Sequence, residues 1–362
     1  MIKLKTETLR NMLNTAIKVS TDNNQLPLTS LMEIETGENG LSIKTTDNVT
    51  TLIINEKIQG LTPARVTVNA KIITALINKM TTEEVELIIT ENSLVINGNG
   101  VYNLEISIDE MGEVVKLPSI KQELINSATK EFDFKSITDK LKVCRASVAD
   151  NIDQPELNTY YMKDVIIATN NLKLSAVKNI ESMSDEELFI PTDFGRILME
   201  LDFVKANYIK QENELVIVGE NFIIGTTLYG EFDKFPLENI KNNINQKYLY
   251  SAVINKKDLS SLLDRLSLFV SEYDRNTIDL IFLPNELKIT NSNKTCDEII
   301  NYKDKQVDGL VEFPCSVNIE YFKAQLDALP GEDITFNFGG ILTGLAMVYD
   351  DMIQVAALFN ED

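Results

Sequence analysis

Three stretches of this chain, residues 68–80, 190–202 and 317–329, carry one pattern at a spacing of about 120 residues. In each, an apolar strand end is followed by Asn69, Pro191 or Asn318, then by one amphipathic helix, then by an alternating strand at 85–89, 214–218 or 333–338. Solenoid units repeat every ~20 to 50 residues because each is a single supersecondary element. A period this long is that of a whole domain used three times.

A length of 362 residues holds three domains of that size. The boundaries fall at 1–121, 122–246 and 247–362, because 118–126 and 239–247 are polar and lack apolar periodicity. A second helix opens each third, at 6–19, 135–149 and 255–271. Apolar residues recur at helical spacing on them: Leu9, Met12, Leu13 and Ala16, then Ile137, Leu141, Cys144 and Val148, then Leu259, Leu262, Leu263 and Leu266. One stripe of each helix is thereby committed to core. The alternating segments between helices, such as 31–36 and 41–45 flanking Gly37 and Gly40, read as antiparallel hairpins. The unit is helix, hairpins, helix, hairpins, which is an α+β fold.

No run approaches the ~18 apolar residues of a membrane span, and the first residues lack the apolar stretch of a signal peptide. The expectation is a cytoplasmic protein with no membrane partner. Cys144, Cys296 and Cys315 show no Cys-x-x-Cys spacing, so they read as small core hydrophobes and not as disulfide or zinc ligands. Histidine is absent, which removes the commonest general base and metal ligand. Asp350-Asp351 and Gly98-Asn99-Gly100 sit where hairpin turns are expected. The reading is of a non-enzyme with no cofactor and no metal. The rival is a metal-dependent nuclease or phosphatase on the same duplicated scaffold, with carboxylates such as Asp150, Asp153 and Asp202.

A formal charge of −21 argues against nucleic acid, but its distribution argues for it. The six helices carry an excess of basic residues and the remainder of the chain is strongly acidic. Helices alone facing a phosphate backbone would show this split. The DNA-facing candidates are Arg10, Asn14, Lys18, Lys71, Lys79, Lys135, Lys142, Arg145, Arg196, Lys256, Arg265 and Lys323.

Segments 28–34, 40–47, 167–174, 230–236 and 285–293, in order and spacing, resemble the β sliding clamps, the bacterial and phage processivity rings of replicative DNA polymerases. The resemblance spans essentially the whole chain. It implies a head-to-tail homodimer of three-domain subunits closing around double-stranded DNA, opened by a clamp loader and bound by a DNA polymerase. It also implies an apolar pocket for partner peptides, formed by Leu157, Thr169, Asn171, Lys173, Leu174, Pro236, Ile240, Tyr321, Val355, Ala357, Leu358 and Phe359. Where the family has Thr-Asp-Gly-His-Arg-Leu, this chain has Thr169-Asn170-Asn171-Leu172-Lys173-Leu174, which implies an altered peptide preference. The dimer interface maps to Tyr102 and Leu104 meeting Phe269 and Val270. A clamp-like adaptor that keeps the pocket but stays monomeric is the alternative within the same fold.

Overall fold

The computed structural model describes residues 2–21, 25–38, 40–90, 92–149, 154–178, 187–228, 234–342 and 344–359. Asp150, Asp153 and residues 230–233 of the fourth resemblance segment lie outside them.

The first third runs β1 (Ile2–Lys5), α1 (Thr6–Ala16), β2 (Leu31–Gly37), β3 (Gly40–Thr46), β4 (Thr50–Glu56), β5 (Ala64–Asn69), α2 (Ala70–Asn78), β6 (Glu84–Ile89), β7 (Ser93–Asn97) and β8 (Val101–Glu105). After α3 (Gln122–Ser127), the second third repeats that order. It runs β9 (Lys130–Asp133), α4 (Phe134–Cys144), β10 (Thr159–Met162), β11 (Ile166–Thr169), β12 (Lys173–Val177), β13 (Leu188–Pro191), α5 (Thr192–Glu200), β14 (Lys205–Gln211), β15 (Glu214–Val218) and β16 (Phe222–Thr227). After α6 (Leu237–Asn245), the third adds one strand to the same plan. It runs β17 (Tyr250–Asn255), α7 (Lys256–Leu266), β18 (Thr277–Phe282), β19 (Glu286–Asn291), β20 (Asp297–Asn301), the extra β21 (Asp304–Gln306), β22 (Phe313–Asn318), α8 (Ile319–Ala328), β23 (Asp333–Phe338), β24 (Gly344–Tyr349) and β25 (Met352–Ala357).

The Asn of the repeated pattern is a helix cap. Asn69 and Asn318 side chains accept from the backbone N–H groups of Ile72 and Tyr321, each at 3.0 Å, and Asn255 does the same for Asp258 at 3.1 Å. Each satisfies a donor that the first helical turn leaves unpaired, worth about 1 kcal/mol against alanine. The middle copy starts α5 after Pro191, whose φ suits a helix start.

The polar segments near 118–126 and 239–247 hold two short helices, α3 and α6. Only Leu124 in the first, and Ile240 with Ile244 one turn later in the second, are buried. So narrow a stripe, set among Asn residues of poor helix propensity, escapes periodicity.

Residues 1–135 with 196–230 form one compact unit, and 136–195 with 231–362 form another. The first unit holds a four-stranded sheet, β1-β6-β7-β8, and an eight-stranded one, β5-β2-β3-β4-β16-β15-β14-β9. Its helices α1 and α2 bury Leu9, Leu13, Ile73 and Ile77 completely. The second unit holds the nine-stranded β13-β10-β11-β12-β25-β24-β23-β17-β21 and the four-stranded β20-β19-β18-β22, with α7 and α8 burying Leu259, Leu263, Phe322 and Leu326. Each such side chain contributes about 1.5–3 kcal/mol. The middle third is shared because both its half-sheets are hydrogen-bonded into a neighbour's. β16 pairs with β4, Phe222 opposite Ile54, and β12 pairs with β25, Leu174 opposite Val355. Among the described residues β8 and β20, which hold the corresponding positions in the four-stranded sheets, have no partner on their outer side.

Candidate functional site

In the second unit, a cleft of about 380 Å³ opens over the β12–β25 pairing. Leu174, Val355 and Ala357 come from the two strands, Pro236, Asn239, Ile240 and Asn243 from the start and body of α6, and Thr169, Asn171, Leu172 and Lys173 from the β11–β12 turn. Leu342 completes it, its N–H bonded to Gln246 Oε1 at 3.0 Å. Leu174, Ile240 and Val355 belong to a core cluster that also contains Leu157, Tyr161, Phe189 and Phe235. Rigid walls follow from that shared core, because close-packed interiors yield little.

The turn is held by its own side chains. Asn170 Oδ1 accepts from the N–H groups of Leu172 and Lys173 at 3.1 and 2.8 Å, and Thr169 Oγ1 donates to the Lys173 carbonyl at 2.8 Å. Asn171 has φ 70°, a left-handed conformation that Asn adopts more readily than other side chains lacking glycine's freedom. Lys173 is the one charge among the described lining residues. Its ammonium lies 4.7 Å from the Tyr321 ring centroid, and burial holds its pKa below the usual lysine value. Such a site suits an extended peptide with apolar anchors and a negative group.

Of the pocket residues inferred from sequence, Thr169, Asn171, Lys173, Leu174, Pro236, Ile240, Val355 and Ala357 meet in the cleft. Leu157 lies in the core beneath it, and Tyr321 touches it through Lys173. Leu358 and Phe359 are half-buried outside the lining; the Phe359 N–H donates to the Ser316 carbonyl at 2.8 Å. Leu172, Asn239, Asn243 and Leu342 were missed. The two leucines, 43% and 37% exposed, carried no periodic signal because they stand in turns.

The basic helix residues fall into two groups. Arg10 donates to the Met80 carbonyl at 2.8 Å and Lys18 to the Glu200 carbonyl. Such bonds complement helix ends without cancelling charge. Asn14 and Asn78 exchange amide hydrogen bonds at 3.1 and 2.9 Å, joining α1 to α2. Lys71, Lys79, Lys135 and Arg145 are exposed. Lys256 donates to the Asp327 carbonyl at 2.9 Å. The others face carboxylates: Lys142 on Asp139 at 2.8 Å, Arg196 on Glu200 at 3.6 Å, Lys323 on Asp327 at 2.7 Å and Asp264 at 3.3 Å. Arg265 grips Glu298 with two nitrogens, its Nε at 2.9 Å, and holds that carboxyl below its usual range. Among the described residues no group of three or more His, Cys, Asp or Glu is placed to hold a metal ion.

No protein-family model matches the sequence, and no curated protein matches it. Solved structures do. The chain resembles a DNA polymerase sliding clamp from Bacillus subtilis at 16% identity and TM-score 0.83, covering 99% of both chains. The DNA polymerase III subunit beta from Borrelia burgdorferi matches at 17% identity and TM-score 0.86 over 99% of both chains. The beta subunit from Thermotoga maritima matches at 14% and 0.83, over 100% of this chain and 99% of that one.

The chain has the sliding-clamp fold.

Of the residues expected at an interface, Tyr102 and Leu104 lie on β8, an edge strand among the described residues, and Phe269 and Val270 follow α7. Tyr102 and Leu104 occupy the half-buried face of β8, while Val101 is 67% exposed. Near β20, Phe269 is 52% exposed and Val270 half-buried, and Leu268, Tyr273 and Ile299 are more exposed than an apolar side chain needs to be. Val101 and Ile299 lie on the exposed faces of their strands. Cys144 and Cys315 are buried and Cys296 is not. Burial pushes the Cys315 thiol up to about 12 and the Cys144 thiol further still.

Proposed function

We propose that this chain is a DNA sliding clamp. In this reading three similar domains, 1–121, 122–246 and 247–362, close head to tail with a second copy around duplex DNA. The assembly is a non-catalytic processivity factor in the cytoplasm. It is opened by a loader and holds a polymerase by an apolar peptide seated in the cleft. The sliding clamp of Bacillus subtilis and the other solved proteins share the fold that such a role uses.

The observation that carries the reading is the pair of unmatched edges. Twice within the chain, the last strand of one copy's first sheet pairs with the last strand of a neighbour's second sheet: β4 with β16, and β12 with β25. The third such pair, β20 and β8, is left open and carries exposed apolar side chains. An unpaired apolar edge is a template for association. A second copy satisfies both edges at once and in the same manner, and such a closed symmetric assembly leaves no edge over.

The internal junctions also supply the register. Ile53 faces Ile223 and Ala176 faces Ile353. Followed rung by rung from the residues two before each helix start, the positions of Ile53 and Ala176 correspond to Asp297, and those of Ile223 and Ile353 to Val101. Between two copies Val101 then faces Asp297, and Tyr102 faces Cys296.

Retention would come from topology, with few exchangeable phosphate contacts from Arg10, Lys18, Lys71 and Lys79, so that sliding stays fast. Loading onto nicked circular DNA, followed by linearisation, tests the assignment. Retention on the circle and loss from the linear form is expected; equal retention on both would sink it, and a monomer at micromolar concentration would favour the adaptor.

A further inference from the structure

Leu174 and Val355 are register partners across β12 and β25, and both line the cleft. The Ala357 N–H donates to the Leu172 carbonyl at 3.0 Å. By the alternation of antiparallel ladders, Leu174 and Val355 then exchange ladder hydrogen bonds too. Each carbonyl keeps a second lone pair, and a single amide reaches both. Gln325 Nε2, projecting from α8, donates to the Leu174 carbonyl at 3.2 Å and to the Val355 carbonyl at 3.1 Å. Two carbonyl acceptors require the NH2 end of the amide there, so its orientation is decided by chemistry.

The same nitrogen lies 3.1 Å from Ser147 Oγ. Ser175 Oγ donates its one proton to Gln354 Oε1 and accepts from Ser147 Oγ, 2.6 Å away, and Gln354 Nε2 donates to the Val143 carbonyl at 3.0 Å. Ser147, Ser175, Gln325 and Gln354 are all buried. Gln325 Oε1, by contrast, is buried with no hydrogen-bond partner among the described residues. An orphaned acceptor costs folding free energy, and a methionine of similar length would fill the space without one. Packing alone therefore does not select glutamine at this position.

We propose that Gln325 is a positioning residue for the peptide: by pinning the two carbonyls under the cleft from α8, it sets the spacing of the floor on which the apolar anchors rest. The inference depends on the peptide-cleft reading above. In the absence of the amide the β12–β25 pairing persists, but its carbonyls are no longer tied to the helix and the floor relaxes.

The test uses the full chain and a fluorescein-labelled Leu-Asp-Leu-Phe tetrapeptide, followed by anisotropy alongside thermal melting. Gln325→Met should melt at or above the parent temperature yet bind the peptide about tenfold more weakly. Gln325→Glu presents a carboxylate to acceptors at neutral pH. It should bind weakly there and recover relative to the parent as the pH falls and the introduced carboxyl gains a proton to donate. Parent-like affinity in Gln325→Met, or a Gln325→Glu profile parallel to the parent's, overturns the proposal. Failure of the parent chain itself to bind the tetrapeptide removes the cleft reading, and this inference with it.

Discussion

The ammonium of Lys44 lies 2.7 Å from the carboxylate of Glu33, its cross-strand partner between β2 and β3, with the two side chains 9% and 2% exposed. Each partner has a second hydrogen bond. Glu33 Oε2 accepts from the Leu117 N–H at 2.8 Å, and Lys44 donates to Ser119 Oγ at 2.9 Å, so the ion pair fastens the segment that follows β8. Removing one partner strands a charge in the core. Glu33→Ala or Lys44→Ala should each cost about 3–5 kcal/mol in urea unfolding, whereas Glu33→Leu combined with Lys44→Met should cost far less. Additive losses would show that the pair does not act as a unit.

The register proposed for subunit closure makes a covalent prediction. At the equivalent internal position Leu52 faces Ile224, three rungs along from the hydrogen-bonded Asn55–Asn221 pair, in which the Asn55 N–H donates to the Asn221 carbonyl. Leu52 and Ile224 are therefore a non-hydrogen-bonded pair, where opposed Cα atoms come to about 4.5 Å, within disulfide reach. Tyr102→Cys should therefore cross-link to the native Cys296 of a second copy on mild oxidation and run as a dimer without reductant. A species that stays monomeric, or that cross-links equally well in Cys296→Ser, would refute the register.

Lys173 should govern which peptides bind. Its half-buried ammonium has a ring but no carboxylate beside it among the described residues, so a ligand carboxylate gains a charge-assisted bond. Replacing Asp by Asn in the tetrapeptide should weaken binding several-fold in the parent and scarcely at all in Lys173→Met. Because burial lowers this pKa, the ammonium gives up its proton at a lower pH than an ordinary lysine. The advantage of the acidic peptide should therefore be full at neutral pH and fade on the alkaline side before other lysines titrate. An advantage indifferent to Lys173→Met would assign the selectivity elsewhere.

Lys79 and Arg145 are exposed helix residues with no ion pair among the described residues. Reversing both charges, Lys79→Glu with Arg145→Glu, should leave the melting temperature within a degree or two. It should lower loading onto DNA several-fold at low salt and flatten the salt dependence, by about 0.9 in log–log slope for each phosphate that is no longer neutralised. Unchanged loading at every salt concentration would remove these helices from the DNA path.

Much of the fold was legible because helix stripes and strand alternation are local. Leu9, Leu13, Leu259 and Leu263 announced their burial by spacing alone, and Asn69 and Asn318 marked helix starts that the caps explain. The helices α3 and α6 were illegible, since two or three apolar residues among asparagines make no period. In the cleft, Leu174 and Val355 were recognisable through the resemblance, whereas Leu172 and Leu342 were not, because what commits them is a partner distant in sequence.

The amino-acid sequence by itself determined the threefold order of elements, their hydrophobic faces and the turns between them, since each depends on neighbours within a few residues. Only the tertiary structure decided which carboxylates silence Arg265 and Lys323, which edges stay open at β8 and β20, and that one buried glutamine reaches two carbonyls on different strands. Those outcomes depend on sheet register between strands far apart in the chain, which no local pattern encodes.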